Sequence, residues 1–161
     1  MTRRSVTLAV TLAVALVVAA AGLGRGVVAL GFQAEQLKEP TVTAYLAGAN
    51  KVCRRYAKQL AKIAPPADPR SFADIEQAVG KALPLLEAQA VAVRKVVPPR
   101  SLAARVKALD ALVTRSNGYL RQALTAAKRH QRSRMGLAYG AWLAASADAH
   151  EVAVKLGFRC S

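Results

Sequence analysis

The strongest constraint on this chain is a run of nineteen uncharged, mostly apolar residues, 6–24, which follows two arginines. As an α-helix this run would be about 28 Å long, close to the roughly 30 Å hydrocarbon core of a bilayer. A second apolar stretch, 26–32, follows Arg25, whose side chain can extend to the interface when it lies near a helix end. We therefore predict that residues 1–32 enter or cross a membrane and do not form a core helix.

Two interpretations of this segment stay open. The basic start, the apolar middle and the small residues Ala19 to Ala21 are typical of a signal peptide that is cleaved after Ala21. The length of the apolar run and the second apolar stretch favour an uncleaved membrane anchor instead. In both cases the basic start favours a cytoplasmic N-terminus. The rest of the chain is therefore expected outside the cytoplasm, held at the cell membrane or secreted.

The remainder reads as a linker, residues 33–41, and one helical domain, residues 42–161. Ala, Leu, Arg and Lys, which have high helix propensities, are abundant, and no alternating strand pattern is sustained. Apolar residues at steps of three and four predict an all-α fold with helices at about 42–64, 71–97, 101–129 and 134–157. Four amphipathic helices with short links indicate an up-down-up-down four-helix bundle.

Several local features refine this prediction. Pro40 and Thr41 mark the first helix start, and Ser71 with Asp74 resembles a capping box. A proline inside the second helix, Pro84, predicts a kink. The third turn is placed at residues 130–133, where charge interrupts the apolar stripe. Tight helix packing is expected at three glycines, and Gly157 is expected to end the last helix. The three are Gly118, Gly136 and Gly140.

The chain contains two cysteines, Cys53 and Cys160. Outside the cytoplasm such a pair most often forms a disulfide. In the predicted bundle the first and last helices are antiparallel neighbours, so the tail can fold back along the first helix towards Cys53. We predict a Cys53–Cys160 disulfide. The alternative, a redox-active pair, lacks the usual CxxC spacing.

The net charge of +15, from 24 basic and 9 acidic residues, favours anionic surroundings such as phospholipid head groups or wall polymers. The alternative is a compositional bias towards Arg and Ala without any specific ligand. Nucleic acid is disfavoured, because aromatic residues do not alternate with the basic ones. The residues predicted to contact an anionic surface are Arg54, Arg55, Lys58, Lys62, Lys128, Arg129, Arg132 and Arg134.

No residue constellation predicts catalysis. His130 lies in the basic turn and fits a solvated surface position, and His150 adjoins Glu151, which points in a different direction on a helix. No Glu-x-x-His pair, phosphate loop or nucleophile motif is present. We expect no enzymatic activity, no cofactor and no metal.

Three segments carry a resemblance: ANKVCRRYAKQL at 49–60, VVPPRSLAARVKALDAL at 96–112 and KLGFRC at 155–160. Together with the apolar start, they resemble small, uncharacterised envelope proteins of high-GC Gram-positive bacteria. The resemblance implies a secreted or anchored helical bundle and implies no particular activity. The main hypothesis is a non-enzymatic envelope protein that binds anionic lipid or wall polymer. The alternative is a carrier of a small ligand or cofactor inside the bundle, suggested by the three glycines and the kink predicted at Pro84. The oligomeric state is left open.

Overall fold

Four helices make up most of the computed structural model, which describes residues 39–159. They are α1 (Val42–Leu60), α2 (Phe72–Arg94), α3 (Arg100–Lys128) and α4 (Arg132–Lys155). No strand occurs within the described residues. The prediction of an all-α fold with four helices is therefore confirmed.

The predicted membrane segment, residues 1–32, lies outside the described residues, and so does Cys160. Among residues 39–159, no helix combines the length and the apolar character needed to cross a membrane.

Capping side chains set the starts of α1 and α2. The Thr41 hydroxyl accepts a hydrogen bond from the Ala44 N–H at 3.1 Å, and the Ser71 hydroxyl accepts from the Asp74 N–H at 3.3 Å. Both predicted helix starts are confirmed. The predicted capping box is wrong in its second half, because the Asp74 carboxylate accepts from the Asp68 N–H at 2.9 Å and the Ser71 N–H donates to the Asp68 carbonyl.

Cross-helix contacts show that consecutive helices are antiparallel. As the residue number rises along one helix, the number of the residue that it contacts in or just after the next helix falls. The contacts are Gly48–Val96 and Cys53–Gln89 for α1 and α2, and Glu87–Arg121 and Arg94–Asp110 for α2 and α3. The short turn between α3 and α4 continues this order. The tail after α4 then packs against α1, where the Tyr45 and Phe158 rings meet edge-on at 6.1 Å.

A turn joins α3 and α4 as predicted, but it lies at residues 129–131 and not at 130–133, and His130 makes it possible. Its φ of 53° is the left-handed conformation that commonly ends a helix and that glycine usually supplies. The His130 N–H donates to the Ala127 carbonyl at 2.8 Å, and the His130 ring packs edge-on against Phe72 at 5.0 Å. His130 is exposed, as expected. Its ring contact with Phe72 also connects the α3–α4 turn to the start of α2.

The core divides into two clusters along the bundle. Ile75, Leu120 and Met135 belong to the cluster nearer the α3–α4 turn. Tyr45 and Leu109 belong to the other, nearer the α2–α3 turn.

The prediction that Gly118, Gly136 and Gly140 mark tight packing is wrong, since a Cβ atom added at any of them would meet nothing within 4 Å. Close approach occurs at Gly48, where an added Cβ would lie 3.2 Å from Val96 Cγ1. Gly157 ends the last helix as predicted, with φ +89°.

Tyr45 supplies a stability prediction. Its side chain is buried, and its hydroxyl finds no hydrogen-bond partner among residues 39–159. Because an unsatisfied buried hydroxyl is destabilising, we expect Tyr45→Phe to raise the free energy of unfolding by about 1 kcal/mol in urea titrations. Burial also raises the pKa of Tyr45. The part of the unfolding free energy that is linked to protonation of Tyr45 is therefore complete below the ordinary phenol pKa of about 10. It is lost as pH rises through the higher folded-state pKa.

The pH dependence separates this effect from simple repacking. Burial raises the pKa of Tyr139 too. Because Tyr139 is present in both the wild type and Tyr45→Phe, the informative quantity is the difference in unfolding free energy between these two proteins. That difference should widen in favour of Tyr45→Phe above pH ~10. A variant less stable than the wild type at every pH would show that the hydroxyl is satisfied in solution.

Candidate functional site

A cavity of about 580 Å³ lies in the half of the bundle nearest the α2–α3 turn. Its walls are the C-terminal part of α2, the N-terminal part of α3 and the C-terminal part of α4, with one α1 residue and Phe158 completing the lining. Most of the lining surface is aliphatic, and the side chains are short, so they do not fill the space between the helices. The residues that create this deficit include Ala90, Val93, Val106, Val113, Ala149 and Ala153.

Two buried polar side chains line the cavity, Ser116 and Asn117 of α3, with exposed fractions of 5% and 7%. Neither side chain makes a hydrogen bond within residues 39–159, but their polar atoms are not fully buried, because the Tyr45 hydroxyl is the one fully buried side-chain polar atom without a partner in that range. Buried polar groups in native proteins are almost always hydrogen-bonded, and each exception needs a physical reason. Water or a ligand in the cavity can supply hydrogen bonds to Ser116 and Asn117.

Three charged residues also line the cavity. They are Arg94, Lys107 and Asp110, and none of them is buried. Arg94 is neutralised by Asp110 at 2.7 Å and also donates to the Thr114 hydroxyl at 2.8 Å. His150 lines the cavity with an exposed side chain. The charged lining side chains are therefore accessible to solvent, and the Arg94 guanidinium reaches Thr114, about one helical turn before Asn117.

The only tryptophan of the chain, Trp142, also lines the cavity. Residues at equal distances from the α3–α4 turn lie at the same level of an antiparallel pair, which places Trp142 level with Asn117. This indole can report on cavity occupancy through its fluorescence.

All eight residues predicted to contact an anionic surface are exposed. The four ion pairs among the described residues use Arg94, Arg115, Arg121 and Lys155, so none of the eight is neutralised. Two of the eight stack on aromatic rings, Arg55 on Tyr56 at 4.9 Å and Arg132 on Phe72 at 5.2 Å. None of the eight therefore pairs with a described acidic side chain, and their contact with an anionic surface stays a prediction.

The basic residues of α1 and of the α3–α4 turn occupy the same half of the bundle. The Cys53–Gln89 and Glu87–Arg121 contacts place the C-terminal part of α1 level with the C-terminal part of α3. The cavity lies towards the opposite end, near the α2–α3 turn, so the molecule carries two separate candidate surfaces.

Cys53 is buried, with 4% exposure, and no cysteine among the described residues is free. The Arg159 N–H donates to Asn50 Oδ1 at 2.7 Å, and Asn50 Nδ2 donates to the Gly157 carbonyl at 3.4 Å. Asn50 lies one helical turn before Cys53, so the described tail runs beside α1 as far as the residue that precedes Cys160. The Cys53–Cys160 pairing itself stays a prediction, because Cys160 lies outside the described residues.

The sequence features first connected with an internal ligand do not form the cavity. Neither Pro84 nor any of the three glycines lines it. The sequence feature that does belong to the cavity is a pair of polar residues in the apolar stripe of α3. The apolar stripe of α3 passes from Val113 directly to Leu120, and the positions three and four residues after Val113 are Ser116 and Asn117.

No group of three or more His, Cys, Asp or Glu side chains in the described part of the chain could hold a metal ion. Comparison with protein-family models, with curated proteins and with solved structures finds no match. The resemblance to small envelope proteins therefore stays a prediction, and function has to be argued from the cavity and the basic surface.

Proposed function

We propose that the helical domain is a non-enzymatic binding module that holds a small apolar molecule in the cavity between α2, α3 and α4. The observation that carries this proposal is an apolar space between the helices, partly open to solvent, whose lining includes two largely buried polar side chains without hydrogen bonds to other described residues. Its volume of about 580 Å³ falls within the usual range for ligand pockets, about 300–1,000 Å³. An apolar lining with a few polar groups is also typical of such pockets.

We place this module outside the cytoplasm, either anchored by residues 1–32 or released after cleavage at Ala21. The apolar segment supports this location, and the predicted Cys53–Cys160 disulfide is consistent with it. An apolar molecule dissolves poorly in the aqueous space beside a membrane, so a protein that encloses it there has a clear physical use.

Filling the cavity with a side chain tests this function. We expect Ala153→Phe, at the cavity wall on α4, to weaken the binding of an apolar probe by at least about 10-fold, because the ring occupies the ligand's space. Binding of dodecanol can be followed through Trp142 fluorescence, and the molecule carried from the cell can be sought by native mass spectrometry.

The matched control is Ala144→Phe, which places the same ring on the exposed face of the same helix. It should bind dodecanol as the wild type does. Equal weakening by both variants, or no saturable binding by the wild-type protein, would contradict the cavity function.

A second function, attachment to an anionic lipid or wall polymer, is supported by the eight exposed basic side chains that form no ion pair. Each basic residue near an anionic membrane contributes about 1 kcal/mol at physiological salt. Reversing Lys128 and Arg132 to Glu should therefore weaken binding to phosphatidylglycerol vesicles or isolated wall polymer by roughly 10- to 100-fold. Co-sedimentation at low salt measures the change.

The control reverses Lys95 and Arg105, two exposed residues that belong to neither basic group and give the same net charge change. We expect a smaller loss from this pair. High salt should abolish binding of all three proteins, because the screening length falls to about 3 Å at 1 M. Identical losses from both double variants would show that only net charge matters, and no binding at low salt would exclude the surface function.

A further inference from the structure

We propose that the outer face of α4 binds the same face of a second copy of this chain, with the two α4 helices antiparallel and crossing at Gly140. This inference goes beyond the proposed cavity function and does not depend on it. The outer α4 face consists of exposed residues that point away from the bundle: Ser133, Gly136, Leu137, Gly140, Leu143, Ala144, Ala147 and Asp148.

The outer α4 face is apolar over most of its length. Leu137 is 76% exposed and Leu143 is 51% exposed. No charged residue occurs from Met135 to Ala147. The opposite face of α4 packs into the bundle through residues such as Met135 and Ala145, so the helix is apolar on both sides. A helix that is apolar all round is normally covered all round, but nothing within residues 39–159 covers this side of α4.

Two glycines make the backbone of the outer α4 face accessible. Gly136 and Gly140 lie about one turn apart, and a Cβ atom added at either would meet nothing within 4 Å. Helix propensity does not favour them, because glycine in a helix interior costs about 1 kcal/mol relative to alanine. Small residues at this spacing allow the backbone of another helix to approach closely. The two glycines therefore suit contact with a helix other than the four described ones.

The order of residues around Gly140 fits a two-fold axis. Leu137 and Ala144, two turns apart, lie on one edge of the outer α4 face, and Gly136 and Leu143 lie on the other. A two-fold axis at Gly140, perpendicular to both helices, reverses the second helix and brings each edge against its own copy. Each leucine then lies nearly level with a small residue, Leu137 with Ala144 and Leu143 with Gly136. Every such contact occurs twice in the dimer.

Charge complementarity supports the antiparallel order. The first turn of α4 carries Arg132 and Arg134, and the far end of the outer α4 face carries Asp148. The axis at Gly140 places Asp148 of one copy level with the basic first turn of the other. Within one chain, the described partner of Asp148 is Arg115 at 3.9 Å, a long separation for an ion pair. A parallel pair would instead place Asp148 beside Asp148, which is unfavourable.

A dimer held by one helix from each copy is weak. Its interface is smaller than the ~1,200 Å² at which standard interfaces begin, so we expect a dissociation constant in the micromolar range. At lower concentrations the monomer unfolds alone, and Leu137→Ala then affects only an exposed side chain. Anchoring of two copies in one membrane by residues 1–32 would raise their effective concentration.

Cysteine cross-linking of the full chain tests the contact and its direction. Gly140→Cys should give a disulfide-linked dimer under copper–phenanthroline oxidation, because the axis brings residue 140 beside its own copy. Ala147→Cys should not cross-link to itself, since the two copies lie about 21 Å apart along the helices, but it should cross-link to Ser133→Cys when the two variants are mixed. The control is Ala104→Cys, exposed on α3, which reports random collisions and exchange with the native cysteines.

The cross-linking results separate the possible arrangements. A Gly140→Cys dimer no more abundant than the Ala104→Cys dimer would overturn the inference. Efficient cross-linking of Ala147→Cys to itself would show a parallel pair and would also overturn it.

Gly140→Arg tests the contact without a cross-link. Two arginines would meet at the axis, so dimerisation should weaken by at least about 10-fold. The monomer should keep its fold, because an added side chain at residue 140 points into open space. Ala104→Arg adds the same charge on α3 and should dimerise as the wild type does. Sedimentation equilibrium of the full chain in detergent measures association, and circular dichroism checks the fold. A wild type that stays monomeric throughout the micromolar range, or equal association of Gly140→Arg and the wild type, would overturn the inference.

Discussion

Cys53→Ala is expected to lower the free energy of unfolding by about 4–5 kcal/mol. The predicted disulfide to Cys160 closes a loop of about 107 residues, and on the chain-entropy model a loop of that size gives this stabilisation by restricting the unfolded chain. Typical domains have a net stability of about 5–15 kcal/mol, so the loss is a third of the total or more. Urea unfolding followed by circular dichroism measures it.

Cys160→Ala separates the disulfide from local packing. The Cys53 sulfur is buried and accepts a hydrogen bond from Gln89 Nε2 at 3.1 Å, so Cys53→Ala also removes these contacts. Cys160→Ala keeps them, and the double variant should be no less stable than Cys53→Ala. Without reductant, the unfolded wild-type protein should show no titratable thiol. Two titratable thiols, or full stability of Cys160→Ala, would refute the disulfide.

The helices could be predicted from sequence because their signals are local. Apolar steps of three and four, the caps at Thr41 and Ser71 and the prolines after α1 and α2 all act within a few residues. Observed helix starts lie within two residues of the predicted ones. The ends are one to four residues earlier, because the last turns loosen at residues 61–63 and 95–97 before the prolines.

The predictions that failed depended on tertiary distances. Gly136 and Gly140 share one helix face, but whether another helix approaches that face depends on side chains elsewhere. The carboxylate of Asp74 had a second available donor in the preceding loop, the Asp68 N–H, and the sequence pattern does not reveal which donor is nearer.

The cavity also depends on tertiary distances and could not be predicted from the sequence. Short side chains at Ala90, Val106 and Ala153 are each unremarkable in a helix, and only their convergence on one place leaves space. The polar pair at 116–117 was visible in the sequence as an interruption of the apolar stripe. Its meaning required the structure, since a polar residue on a stripe can equally lie at a solvent-facing edge.

Leu120→Ala should cost about 2–5 kcal/mol of unfolding free energy, the usual range for deleting a buried leucine side chain. Leu120 is 1% exposed and belongs to the cluster that contains Ile75 and Met135. It does not line the cavity, so close-packed neighbours surround it and little relaxation can offset the lost contacts. Urea unfolding of the variant measures the loss.

Two further leucines make this prediction a test of the cavity itself. Leu137 is 76% exposed, so Leu137→Ala should change stability by less than about 0.5 kcal/mol. Leu109 is buried on the same helix as Leu120, but it lines the cavity and lacks neighbours on that side. Because atoms facing a void make fewer dispersion contacts, Leu109→Ala should cost less than Leu120→Ala. Equal losses of unfolding free energy for these two variants would mean that the cavity is closed or filled in solution. A bound molecule would be distinguished by solvent extraction of that molecule, which should lower the stability of the wild type but not that of Ala153→Phe.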